Sequence, residues 1–180
     1  MTFVFDPERY DSEPIPGSNP DGFMLTEDDT VDYWFDGALI RFRAKAPDTR
    51  GMVSFFECEA PQGWQGPVHR HANEGELFHI QDGVWEIYVN DTVHRATAGC
   101  VLWIPPATPH SIYISSKRAR GTCYVTPAGF ERFFEVVGEP ATVPSMPTHK
   151  GKIATVDELA AAGARYGWEL VEPEPRRLPS

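Results

Sequence analysis

The fold is decided by residues 63–83: Gly63-Trp64-Gln65-Gly66-Pro67-Val68-His69-Arg70-His71-Ala72-Asn73-Glu74-Gly75-Glu76-Leu77-Phe78-His79-Ile80-Gln81-Asp82-Gly83. In an extended chain, side chains two residues apart point to the same face, so His69 and His71 present two imidazoles side by side. A short turn through Ala72 and Gly75 brings the Glu76 carboxylate next to them. Two neutral nitrogens and one anionic oxygen form a donor set suited to a divalent transition metal. Alternation from Glu76 points Phe78 and Ile80 inward and turns His79 away. Glu74 is expected to be a solvated carboxylate rather than a catalytic one.

On both sides of this stretch, short β-forming runs follow one another with turn signals between them. Upstream, residues 29–33 and 39–44 form two strands joined near Asp36-Gly37, a good hairpin turn. A turn at 47–51 leads into a strongly β-forming strand at 52–59. Downstream, strands are expected at 76–81, 84–89, 92–96, 100–104, 110–114 and 121–125, with a charged loop at 115–120. From His110, alternation places Ile112 and Ile114 inward and Tyr113 outward. Regular short strands of this kind make a sandwich or a barrel. Seventeen prolines and fifteen glycines fit many turns rather than long helices.

The pattern changes after Pro127. Phe130, Phe133, Phe134 and Val137 recur at helical spacing, with Gly138 where a C-terminal cap belongs. That aromatic face either plugs the core or lines the mouth of a pocket. Residues 139–150 read as a Pro-rich linker, and Thr155 with Glu158 as a capping box opening a helix to about residue 165. A loose tail is expected from Glu172. The chain thus divides into an N-terminal arm (1–28), a barrel with its following helix (29–138), and a linker, short helix and tail (139–180). His94 and His149 are expected at the surface. Phe56, Trp85, Tyr88, Trp103 and Tyr124 lie in core strands, some filling the barrel and others free to line a pocket.

A length of 180 residues suits one domain. The formal charge of −10, with no basic run, argues against nucleic acid and against anionic membrane as partners. No apolar run approaches the roughly 20 residues that span a bilayer. The N-terminus lacks a basic region followed by an apolar one, so no secretory signal is expected. Cys58, Cys100 and Cys123 are odd in number and set in apolar segments. They read as reduced core thiols of a cytoplasmic protein.

A second stretch, Gly99-Cys100-Val101-Leu102-Trp103-Ile104-Pro105-Pro106-Ala107-Thr108-Pro109-His110, makes a family resemblance specific. Gly63, His69, His71, Glu76 and Gly83 match the first motif of the cupin family at its spacing. Gly99, Pro105 and His110 match the second, with Ala107 where Gly is usual and Ile114 where Asn is usual. Ala107 is taken to mean a turn that needs no positive φ. The resemblance covers about residues 52–125. It implies an all-β, single jelly-roll barrel with short C-terminal helices, and it makes His69, His71, Glu76 and His110 the metal ligands. Three imidazoles and a carboxylate suit Fe(II), Ni(II), Mn(II), Co(II) or Cu(II) better than a closed, Cys-rich structural zinc site.

A narrower resemblance to small bacterial flavonol (quercetin) dioxygenases lies in residues 54–63, before the histidine pair, and in 127–140, after the barrel. It implies a metal-dependent dioxygenase that cleaves a flavonol-like aromatic or enolisable hydroxy-ketone with O2. Glu76 would then take the enol proton besides ligating the metal. The alternatives are an O2-independent cyclase, isomerase or decarboxylase, and a small-ligand-binding protein without catalysis. A homodimer is expected, since cupins often pair.

Overall fold

The computed structural model describes residues 11–148 and 154–178; His149 lies outside them. Strand formation follows side-chain alternation. In β3 (Ser54–Pro61) every second residue is buried, so Ser54, Phe56, Cys58 and Ala60 face the core while their neighbours face outward. The series also includes β1 (Val31–Phe35), β2 (Ala38–Ala44), β4 (Val68–His71), β5 (Gly75–Asp82) and β6 (Val84–Val89). It continues through β7 (Thr92–Thr97), β8 (Val101–Ile104), β9 (His110–Ile114), β10 (Arg118–Thr126) and the short β11 (Glu139–Pro140). After α1 (Glu131–Val137) and α2 (Val156–Tyr166) comes a final strand, β12 (Trp168–Glu172).

The strands form two antiparallel sheets, in the orders β11-β1-β2-β3-β10-β5-β8 and β12-β4-β9-β6-β7. They face each other across one apolar core that includes Phe42, Phe56, Ile80, Trp85, Ile87, Ile104 and Ile114. This is the expected all-β jelly roll, and β6 and β9 fall on the expected residues. No helix among the described residues is long and apolar enough to cross a membrane.

Several local expectations are corrected. The charged segment 115–120 is not all loop: β10 begins at Arg118, which pairs with Pro61 of β3. Trp168–Glu172 form a strand that the sequence reading missed. β12 pairs with β4, setting Trp168 opposite His71 and Leu170 opposite His69. The tail beyond it is not loose. Arg176 N donates to Ser111 Oγ at 3.0 Å, and the Arg177 guanidinium lies 3.6 Å above the Tyr113 ring. Cys100 is exposed, whereas Cys58 and Cys123 are buried thiols.

The capping box of α2 forms as expected, with Thr155 Oγ1 accepting from Glu158 N at 3.2 Å and Glu158 Oε2 accepting from Thr155 N at 2.9 Å. Gly138 does end α1, but in extended backbone. A Cβ there would lie 2.6 Å from Phe134 O, so close approach, not a left-handed turn, selects glycine.

Two turns hold these strands in register. Gly83, between β5 and β6, has φ +81, and a Cβ there would meet Arg118 O at 2.4 Å and Ala119 Cα at 2.8 Å. Gly83→Ala should therefore cost at least about 2 kcal/mol in chemical denaturation, from left-handed strain plus a backbone clash. Ala107 overturns its expectation: it does sit at positive φ, +59. The loop is held there because Ala107 N donates to His71 O at 2.7 Å, docking the segment before His110 on the end of β4. Ala107→Gly should remove that strain and raise stability by about 0.5–1 kcal/mol, read from the same denaturation midpoints. A destabilised variant would show that the lost Cβ matters more than the strain.

Candidate metal centre

β4 supplies His69 and His71, β5 supplies Glu76, and β9 supplies His110. Register brings them together: His69 pairs directly with His110 across β4 and β9. The four side chains each offer a donor atom, all within 4.8 Å of one another. His71, Glu76 and His110 are buried, and His69 is partly so. The sequence-based set is thus assembled in one place, with none left out.

Two of the rings are oriented from behind. His69 Nδ1 lies 2.8 Å from Pro67 O, and His110 Nδ1 lies 2.9 Å from Thr108 O. A carbonyl only accepts, so each Nδ1 carries the proton and each Nε2 keeps its lone pair toward the cluster. Glu76 Oε2 lies 2.8 Å from His110 Nε2 and 3.6 Å from His71 Nε2. Glu76 Oε2 and His110 Nε2 are buried and make no hydrogen bond of good geometry. A carboxylate oxygen facing imidazole lone pairs in a dry site is a poor arrangement without a cation between them, and three nitrogens with one oxygen suit a divalent transition metal. The residues fit such an ion.

The electrostatics favour ligation at Glu76 and His69 and oppose it at His110, whose proton an incoming cation would have to displace. Burial pushes the Glu76 carboxyl up, but His71, His110 and His69 outweigh it and hold its pKa at about 2. Burial, reinforced by His110 and His71, pushes His69 well below the usual imidazole range. For His110, burial acts downward, and the Glu76 carboxylate more than offsets it, leaving the pKa raised. An ionised Glu76 and a neutral His69 are in the states that metal ligation requires.

The cluster opens onto a small, partly open and largely apolar cavity of about 90 Å³. Phe56, Phe78 and Trp85 from the sheets line it, as do Phe130, Phe133 and Phe134 at α1. The aromatic face of α1 thus both fills the core and lines the pocket; Phe130 packs edge-on against His71 with centroids 4.3 Å apart. Of the other core-strand aromatics, Tyr88 is buried away from the cavity lining, while Trp103 and Tyr124 are exposed on the outer face. His79 and His94 are exposed as expected. Glu74 is not solvated: it is 1% exposed, and its Oε2 accepts from Asn73 N at 3.3 Å.

Two residues near the site went unassigned by sequence. Trp168 of β12 stacks on His69, with centroids 5.3 Å apart and planes 30° from parallel. Cys123 of β10 points its Sγ at Glu76 Oε1, 3.9 Å away. Burial holds this thiol well above its ordinary pKa, so it remains a weak S–H donor to the carboxylate. The Trp168 signal was a strand-forming Trp-Glu-Leu-Val-Glu run after the Gly167 cap; Cys123 carried none beyond its parity in β10.

Residues 55–126 match the cupin domain family. Quercetin 2,3-dioxygenase of Bacillus subtilis is 22% identical over 142 residues, which are 79% of this chain and 42% of that protein. An uncharacterised protein of Methanocaldococcus jannaschii is 28% identical over 78 residues, 43% of this chain and 62% of that one. The chain therefore spans less than two thirds of the length of either curated relative. Among solved structures, an RmlC-like cupin from Shewanella frigidimarina superposes with a TM-score of 0.51 at 16% identity, covering 58% of this chain and 90% of that one. Oxalate decarboxylase from Bacillus subtilis also gives 0.51, at 18% identity over 58% of this chain and 28% of that one. The match to the cupin domain runs through the central strands, and the chain shares its jelly-roll fold with solved cupins, so residues 55–126 are a cupin-like domain.

Proposed function

We propose that the protein is a metal-dependent dioxygenase of the quercetinase-like type acting on an enolisable hydroxy-ketone, with His69, His71, Glu76 and His110 as the metal ligands. One observation carries this reading: three imidazoles and a carboxylate converge at the wall of a small aromatic cavity. The similarity to quercetin 2,3-dioxygenase along 79% of the chain supports the reaction class.

A bound Fe(II), Ni(II), Mn(II), Co(II) or Cu(II) ion would supply Lewis acidity toward the substrate's oxygen atoms. The chain's own residues do the remaining work. The Pro67 and Thr108 carbonyls fix the His69 and His110 rings through Nδ1. Glu76 is the one carboxylate at the site and takes the enol proton, while the Cys123 S–H holds Oε1. The aromatic walls exclude water and grip a planar substrate by its faces. Among the described residues no lysine or arginine lines the cavity, so a di-acid substrate would lack a counter-charge there.

The test is O2 uptake by protein loaded with each of these metals in turn, against a panel of hydroxy-ketones. Oxygen consumption matched to substrate loss supports the reading. Product formed under strict anaerobiosis would assign an O2-independent isomerase, cyclase or decarboxylase to the same site, and tight binding without conversion by any metal would leave a ligand-binding protein.

A further inference from the structure

The size and polarity of the cavity set limits on what the site can accept. Its volume of about 90 Å³ is small. Pockets for drug-sized ligands run to about 300–1,000 Å³, and an engineered apolar cavity of about 150 Å³ in another protein admits one benzene. Here the wall cannot retreat freely. Phe133 is wedged between Phe130, at 5.1 Å between centroids, and Trp168, at 5.4 Å. Trp168 is in turn fixed by the pairing of β12 with β4. The rim has one softer member, the half-buried Leu159 of α2.

Polarity is equally one-sided. His69, Glu76 and His110 line one wall, and Cys58 is a buried thiol. The indole N–H groups of Trp64 and Trp85 are already directed at Phe35 O and Asp82 O, at 3.4 and 3.2 Å. A hydroxyl on the far side of a ligand would meet aromatic carbon. Each buried hydroxyl without a partner lowers affinity by on the order of 10-fold.

We infer that the substrate is a single-ring or comparably small enolisable hydroxy-ketone, polar along one edge and hydrocarbon elsewhere, and not a three-ring or polyhydroxylated flavonol. This rests on the proposed metal site, narrows its substrate class and departs from the flavonol model that the sequence resemblance implies. The polar edge sits against the histidines and Glu76, so only the apolar remainder must fit within the aromatic walls. One ring fills that space with small shifts at Leu159, whereas a fused bicycle with a pendant phenyl requires displacing Phe133 and Trp168.

Two probes separate size from chemistry: 3-hydroxy-2-methylpyran-4-one carries the same hydroxy-ketone edge as 3-hydroxyflavone on one ring instead of three. Each is titrated into cobalt-loaded full-length protein under argon. Binding is followed by quenching of the tryptophan fluorescence, to which Trp64, Trp85 and Trp168 around the cavity contribute, with cobalt content checked after each titration. The one-ring compound should bind at least 10-fold more tightly. Leu159→Ala should narrow the gap to within about 3-fold, and Trp168→Ala should do the same where that variant folds. Equal or tighter binding of 3-hydroxyflavone to the unaltered protein would overturn the inference, as would failure of both compounds to bind. Oxygen uptake is read separately. One-ring binding without O2 consumption removes the dioxygenase reading and leaves the size limit standing, while consumption of 3-hydroxyflavone does the reverse.

Discussion

Glu76→Gln is expected to lower turnover by on the order of 10³-fold while leaving part of the metal bound. The substitution keeps the size of the side chain and an oxygen donor. It removes the charge and the only carboxylate of the four-residue cluster. Burial makes both losses count, because water cannot stand in for the missing anion. Metal affinity should fall by at least about 10-fold, the scale seen when groups supporting metal ligands are lost. Metal content and turnover, measured on the same preparation, separate the two effects. Glu76→Asp restores the charge one methylene short, and should recover more metal than turnover if the position of the proton acceptor matters. Near-normal turnover by the Gln variant would remove the proton-accepting role from Glu76 and leave it a ligand alone.

The second large effect concerns stability. Trp85→Ala should cost about 3–5 kcal/mol, a large part of the 5–15 kcal/mol that holds a typical domain folded. Trp85 is 1% exposed and projects from β6 into the space between the sheets. Its indole lies under Gly121, where an added Cβ would stand 3.1 Å from the ring, and its N–H donates to Asp82 O at 3.2 Å. Truncation to alanine leaves a void beside the existing cavity that no neighbouring strand can close, since β5, β6 and β9 are locked by their ladders. Trp85→Phe keeps most of the ring volume and should recover more than half of the loss. Denaturation of metal-free protein measures this without interference from metal binding. A loss below about 1 kcal/mol would mean that the barrel repacks around the missing indole.

Most of the barrel was legible because its rules are local. His69 and His71 share a face by parity, Glu76 follows a short turn, and Gly83 and Asp36-Gly37 mark turns by their own chemistry. His110 could be joined to them only through the spacing of a second motif, since nothing local says that β9 pairs with β4. Where the sequence reading failed, the decisive contact was distant or energetic. β12 is defined by pairing with residues about a hundred positions earlier, and its alternation is too short to outweigh the linker and helix before it. Glu74 and Glu76 have the same parity, yet only packing decides that both are buried rather than one solvated. Ala107 misled for an energetic reason: its unfavourable φ is sustained by a hydrogen bond to the end of β4, a debt invisible in the residue name. The size of the cavity depends on how Phe133 and Trp168 interlock, which no motif records.

The placement of β12 has a consequence for solubility as well as for the site. In the order β12-β4-β9-β6-β7, β4 is inward only because β12 covers it. Strip that strand away and the histidine-bearing segment becomes an open sheet edge, with its amides and carbonyls offered to any passing chain. The final strand thus acts as a selvage: it keeps the barrel from knitting itself to its neighbours. A chain cut after Gly167 should be lost to aggregates before its chemistry can be assayed.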